Sequence, residues 1–88
     1  MVPDTPNDNK KCGLPGSVNR VFYFRGSNAQ EQKCRDECTR RKNCVAFSGI
    51  WNSFCIGCSV ALDETHSGTK AFRKENEGKK ALAYKCFN

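Results

Sequence analysis

The 88-residue chain has no apolar run approaching the roughly 20 residues that would cross a membrane. It has one histidine, His66, in a polar stretch, so clustered imidazole ligands are excluded. Zinc could draw on Cys55, Cys58 and His66, but a fourth ligand at a usual spacing is missing. No serine or cysteine nucleophile sits in a recognisable relation to a base. The adjacent Asp36 and Glu37 would point about 100° apart on a helix, which does not suit paired-carboxylate chemistry. They read as surface charges. These deficits argue against an enzyme, a metal centre or any cofactor. The chain opens on polar Met1-Val2-Pro3-Asp4, without the apolar core of a secretory leader, so Met1 reads as a start added to a mature segment. Repeats and low-complexity tracts are absent.

Cysteine, by contrast, is abundant. Cys12, Cys34, Cys38, Cys44, Cys55, Cys58 and Cys86 make seven in 88 residues. A chain this short buries only about two-thirds of its unfolded surface and often needs cross-links. The density therefore points to a disulfide framework and to a secreted, extracellular protein. Cys55-Ile56-Gly57-Cys58 has the C-x-x-C spacing of redox motifs but lacks the helix N-terminus that would depress a thiol pKa. Lysine and arginine exceed aspartate and glutamate by 15 to 9, for a net charge of +6. The excess is concentrated in Lys70, Arg73, Lys74, Lys79, Lys80 and Lys85, opposed locally by Glu75 and Glu77. Such a balance favours anionic partners, or is a solvated face. The aromatic interleaving of an RNA-binding motif is missing, which argues against nucleic acid.

Residues 1–11 read as a flexible polar segment leading into a single domain over 12–88. Val18–Phe24 reads as a strand. Ser27 and Gln30 fit a capping box ahead of a helix over Ala29–Lys42, with Asn43 as a stop. Cys34 and Cys38 share one face of that helix. Cys44–Ile50 and Phe54–Val60 read as a hairpin turning at Trp51-Asn52-Ser53. Thr69–Lys74 and Ala81–Phe87 are further strand candidates. The expected class is α+β, one helix against a small antiparallel sheet. Phe22, Phe24, Phe47 and Phe72 read as core residues. Trp51, at the hairpin tip, either offers a stacking platform to a sugar or protein or caps the core from the side. Arg20, Arg25, Lys70, Arg73 and Lys74 would line one basic groove if their strands are neighbours.

The order helix with Cys34-x3-Cys38, strand from Cys44 through Val45-Ala46-Phe47, return through Phe54-Cys55, then the strand Thr69–Lys74, with Cys12 and Cys86 near the ends, resembles the PAN/Apple domain family. Phe54-Cys55-Ile56-Gly57-Cys58 is also similar to a tract of secreted small cysteine-rich proteins of oomycetes. The PAN/Apple resemblance implies about five strands cupping one helix, Cys34 and Cys38 tying that helix to the central hairpin, and a Cys12–Cys86 closure. It implies a non-catalytic module binding a host or cell-surface protein or a carbohydrate, an acidic one given the charge. Alternatives are a microbial virulence effector and a structural module of an extracellular assembly. The expected bridges are Cys12–Cys86, Cys38–Cys44 and Cys34–Cys55. Cys38 and Cys44 are close in sequence at a helix-to-strand turn. Cys55 and Cys58 would face opposite sides of a regular strand. The family pattern favours Cys55 toward the helix and leaves Cys58 outward, unpaired or linking a dimer; a bulge at Gly57 would reverse that choice.

Overall fold

The computed structural model describes residues 1–74. The strand candidate Ala81–Phe87, Cys86 and the basic residues Lys79, Lys80 and Lys85 lie outside them. Aromatic and β-branched residues build β3 (Arg20–Arg25), and the runs on either side of Trp51-Asn52-Ser53 build β4 (Ala46–Ile50) and β5 (Phe54–Cys58). The β4–β5 hairpin turns through Trp51-Asn52-Ser53, where Asn52 takes the left-handed φ of +70° that asparagine tolerates. With β1 (Val2–Pro3) and β7 (Lys70–Arg73), these strands form one antiparallel sheet in the order β1-β7-β4-β5-β3. A separate two-residue ribbon pairs β2 (Lys10–Lys11) with β6 (Glu64–Thr65).

The one α-helix among the described residues, α1, runs from Glu31 to Arg40, shorter than the Ala29–Lys42 expected. At its start, Gly26 (φ +59°) opens a 3-10 turn over Gly26–Asn28 that takes up Ser27, so no capping box forms. Gln30 is the N-cap, and its side chain donates to the Ser27 carbonyl at 3.3 Å. The far end is set by the Cys38–Cys44 bridge. Six more helical residues would carry Cys44 about 9 Å along the axis, whereas the bridge holds the two Cα atoms 5.2 Å apart. Arg41 accordingly turns to extended backbone, and the Cys44 amide closes a turn on the Arg41 carbonyl.

Strand alternation assigns every central residue to a face. Phe47, Cys55 and Phe72 point to the helix side, where they pack with Phe22, Ala29, Cys34, Cys38 and Cys44. Phe47 and Phe72 stack with ring centroids 4.7 Å apart. Ala46, Phe54, Ile56, Cys58 and Ala71 point to the other side, which Cys12 and Leu62 cover. The sheet thus carries a core on each face. The expectation of four core phenylalanines holds for Phe22, Phe47 and Phe72, with Phe24 half-buried against them.

Three bridges link the described cysteines: Cys34–Cys55, Cys38–Cys44 and Cys12–Cys58. The first two are the pairs expected. The third corrects both the Cys12–Cys86 closure and the unpaired, dimer-forming role given to Cys58. Opposite orientation of Cys55 and Cys58 holds. The second face does not meet solvent, because the segment around Cys12 lies across it. The bulge is also elsewhere. Arg20 pairs with Cys58 and Phe22 with Gly57, so Val21 is the extra residue, on the partner strand. It lets Arg20 and Phe22 face opposite sides.

Residues 1–11, expected to be a flexible leader, are built into the fold. Val2 and Pro3 pair with Arg73 and Phe72, and Lys10 and Lys11 pair with Thr65 and Glu64. The Asp8 carboxylate accepts the Ala71 amide at 2.8 Å, and the Asn9 side chain accepts the Gly68 amide at 2.8 Å. The polar residues that suggested a loose segment are the ones that satisfy the backbone of β7 and its approach.

Candidate binding surface

The basic residues do not form one groove. Strands β4 and β5 lie between β3 and β7, which sets the backbones of Arg20 and Arg25 at least about 14 Å from those of Lys70 and Arg73 at ordinary strand spacing. Arg20 is half-buried and structural in part. Its Nε donates to the Cys12 carbonyl and its Nη2 to the Gly13 carbonyl, both at 3.0 Å. Arg25 is exposed where β3 ends. Across the sheet, Arg73 lies 4.0 Å from the Asp4 carboxylate, and Lys74 Nζ donates to the Arg41 carbonyl at 2.8 Å. Lys70 is exposed. Trp51 is half-buried, with its ring 6.4 Å from Phe47 and 6.1 Å from Phe72. It caps the helix-side core, the second of the two roles its position allowed.

Where the sequence points to charge alone, the structure opens a cleft of mixed character beside β3. Tyr23 lies between two inward-facing phenylalanines and therefore turns to the opposite face, where its ring stacks at 6.4 Å on Phe54 and remains 48% exposed. The turn after Cys12 brings two more exposed apolar side chains, Leu14 at 63% and Val18 at 95%. Between that turn and β3 lies a cleft of about 460 Å³, walled by Pro15, Gly16 and Ser17 on one side and by Arg20, Phe22, Tyr23 and Arg25 on the other. The signal for Tyr23 was present in the alternation of Val21-Phe22-Tyr23-Phe24. For the exposure of Leu14 and Val18 there was none.

The remaining polar chemistry is accounted for by structural contacts. Glu37 bonds Arg40 at 2.6 Å and also bonds Arg41. The hydrogen bonds from Arg40 and then Arg41 hold its carboxyl below the usual value, while Arg40 is raised in turn. Glu37 is thus a helix-end clamp, while Asp36 stays on the surface, bonded to Gln32 at 2.8 Å. His66 packs its ring 4.8 Å from Phe54, and its carbonyl accepts the Thr69 hydroxyl at 3.0 Å. The C-x-x-C sulfurs belong to two different bridges on opposite faces of β5, so they do not form a vicinal dithiol pair. No protein-family model, curated protein or solved structure matches this chain.

Proposed function

We propose that the chain is a non-catalytic extracellular module of PAN/Apple type that binds a protein partner. Three disulfides in a small α+β domain support the extracellular setting. Two bridges starting from one helix, with Cys34 reaching the central hairpin and Cys38 the start of β4, support the PAN/Apple resemblance. The Cys12–Cys58 bridge departs from its expected closure. The observation that carries the binding assignment is the cleft of about 460 Å³ between the Pro15-Gly16-Ser17 turn and β3, with Phe22 and the exposed Tyr23 on its wall. A concavity lined by aromatic rings and flanked by arginines, here Arg20 and Arg25, has the composition favoured at protein contact sites.

The test is capture from candidate host or cell-surface protein extracts by the oxidised protein, compared with Leu14→Glu/Val18→Glu. Both positions are exposed, so the fold should be retained. A captured protein lost in the double variant supports the assignment. Capture that is indifferent to the variant, or binding restricted to glycans, overturns it.

A further inference from the structure

The two edges of the sheet differ in length and chemistry. Strand β1 offers two residues and carries Pro3, which blunts an edge. Strand β3 offers six residues rich in β-formers, and among the described residues no strand lies beyond it. The Gly26 amide bonds the Ser53 carbonyl. In the antiparallel register this makes Phe24 with Cys55, and Phe22 with Gly57, the hydrogen-bonded pairs. The amides and carbonyls of Tyr23 and Arg25 therefore point away from β5.

This open edge is also electropositive. Arg25 stands at one end, with Lys33 nearby over the Phe24 ring at 5.6 Å. Arg20 stands at the other end. Of the helix carboxylates, Glu31 and Glu37 are engaged by Arg35, Arg40 and Arg41, and Asp36 is bonded to Gln32. Lys33 is bonded to the Asn28 side chain, and Arg20, Arg25 and Lys33 form no ion pair among the described residues. A second copy laid antiparallel along the full strand would oppose Arg20 and Arg25 at both ends, which like-charge repulsion disfavours.

We infer that the outer edge of β3 receives an acidic, extended segment of a partner protein as an added strand, with the neighbouring cleft taking alternate side chains. This deepens, and rests on, the reading of the chain as a protein-binding module. Main-chain hydrogen bonds to Tyr23 and Arg25 would give the segment its register. The flanking cations would select its charge.

The test uses the full oxidised chain and an end-blocked octapeptide alternating glutamate and valine. The comparison peptides replace glutamate by lysine or place proline at the centre. Amide spectra and hydrogen exchange are followed. The acidic peptide should shift the amides of residues 21–25 saturably and slow exchange at Tyr23 and Arg25. The other two peptides should bind at least about tenfold more weakly, the lysine version through charge alone. Tyr23→Pro deletes an outward N–H and should abolish binding, whereas Tyr23→Thr keeps it. Should Tyr23→Pro not fold, Arg25→Glu/Lys33→Glu, at two exposed positions, should invert the preference toward the lysine peptide. Equal binding of both charges, unshifted β3 amides, or exchange already slow at Tyr23 and Arg25 before peptide is added would overturn the edge assignment. The last result would mean that the edge is filled by residues 75–88 or by a second copy. Heparin is titrated in parallel. Partner capture through Leu14 and Val18 with failure of the peptide arms would defeat the edge assignment alone, whereas heparin binding without protein capture would defeat the protein-binding reading itself.

Discussion

The two faces of the central sheet are made from the same strands but closed by different means. The helix side is covered by regular structure, α1, and its contacts are aromatic rings and the Cys34–Cys55 bridge. The other side is covered by chain of little regularity, the segment around Cys12, Leu62 and the β2–β6 ribbon, fixed by the Cys12–Cys58 bridge. An amphipathic helix announces its buried face through residue spacing. A covering loop announces nothing comparable. Cross-linking is thus expected to matter more where the covering chain has less secondary structure of its own.

The sharpest way to break this comparison is to remove the bridges pairwise. By loop-closure entropy, Cys12→Ala/Cys58→Ala should cost about 4 kcal/mol, Cys34→Ala/Cys55→Ala about 3, and Cys38→Ala/Cys44→Ala about 2. The loops span sequence separations of 46, 21 and 6 residues. Urea unfolding of the three variants gives the order, and a smaller loss for the first than for the second would invert the proposed dependence. Next in size is Gly57→Ala on the helix side. A Cβ there would fall 2.0 Å from the Phe22 ring, and forcing the ring away should cost about 1–3 kcal/mol. Thermal melts would register this, and an unchanged midpoint would mean that Phe22 moves freely.

The opposite face contains a built-in weakness. Ser48 is fully buried there and its hydroxyl has no hydrogen-bond partner among the described residues. Ser48→Ala should therefore leave stability unchanged or raise it by about 1 kcal/mol; a clear loss would reveal a partner for the hydroxyl. The smallest effect belongs to Glu37. Its carboxyl titrates below the ordinary 4.5 in the folded protein, chiefly through Arg40. Its stabilisation is present above that ordinary value and is lost as pH falls through the depressed one. The difference in stability between wild type and Glu37→Gln should accordingly be larger at neutral pH than in acid, and a carboxyl titration followed by NMR should place Glu37 below the ordinary 4.5.

Most of the helix side was legible in the sequence. The i, i+4 spacing of Cys34 and Cys38, the Trp51-Asn52-Ser53 turn and the aromatic strands are local signals, and the structure bears them out within a few residues. Helix length was misjudged because the Cys38–Cys44 tether, a tertiary constraint, overrides the good helix propensity of Arg41 and Lys42. The second face was illegible for a different reason. Pairing of Val2 with Arg73, Lys10 with Thr65 and Cys12 with Cys58 joins residues far apart in the chain, with no periodicity to mark them. The cleft between the Pro15-Gly16-Ser17 turn and β3 is likewise a product of tertiary structure with no periodicity to mark it.

The three bridges are nested: 38–44 lies within 34–55, which lies within 12–58. A peptidase that cuts once anywhere between Cys12 and Cys58 therefore releases nothing, since the outer bond still joins the two fragments. The helix, the β4–β5 hairpin and the whole of β3 fall inside that interval. In surroundings rich in proteolytic enzymes, a molecule nicked once in that interval keeps its parts joined until it is reduced.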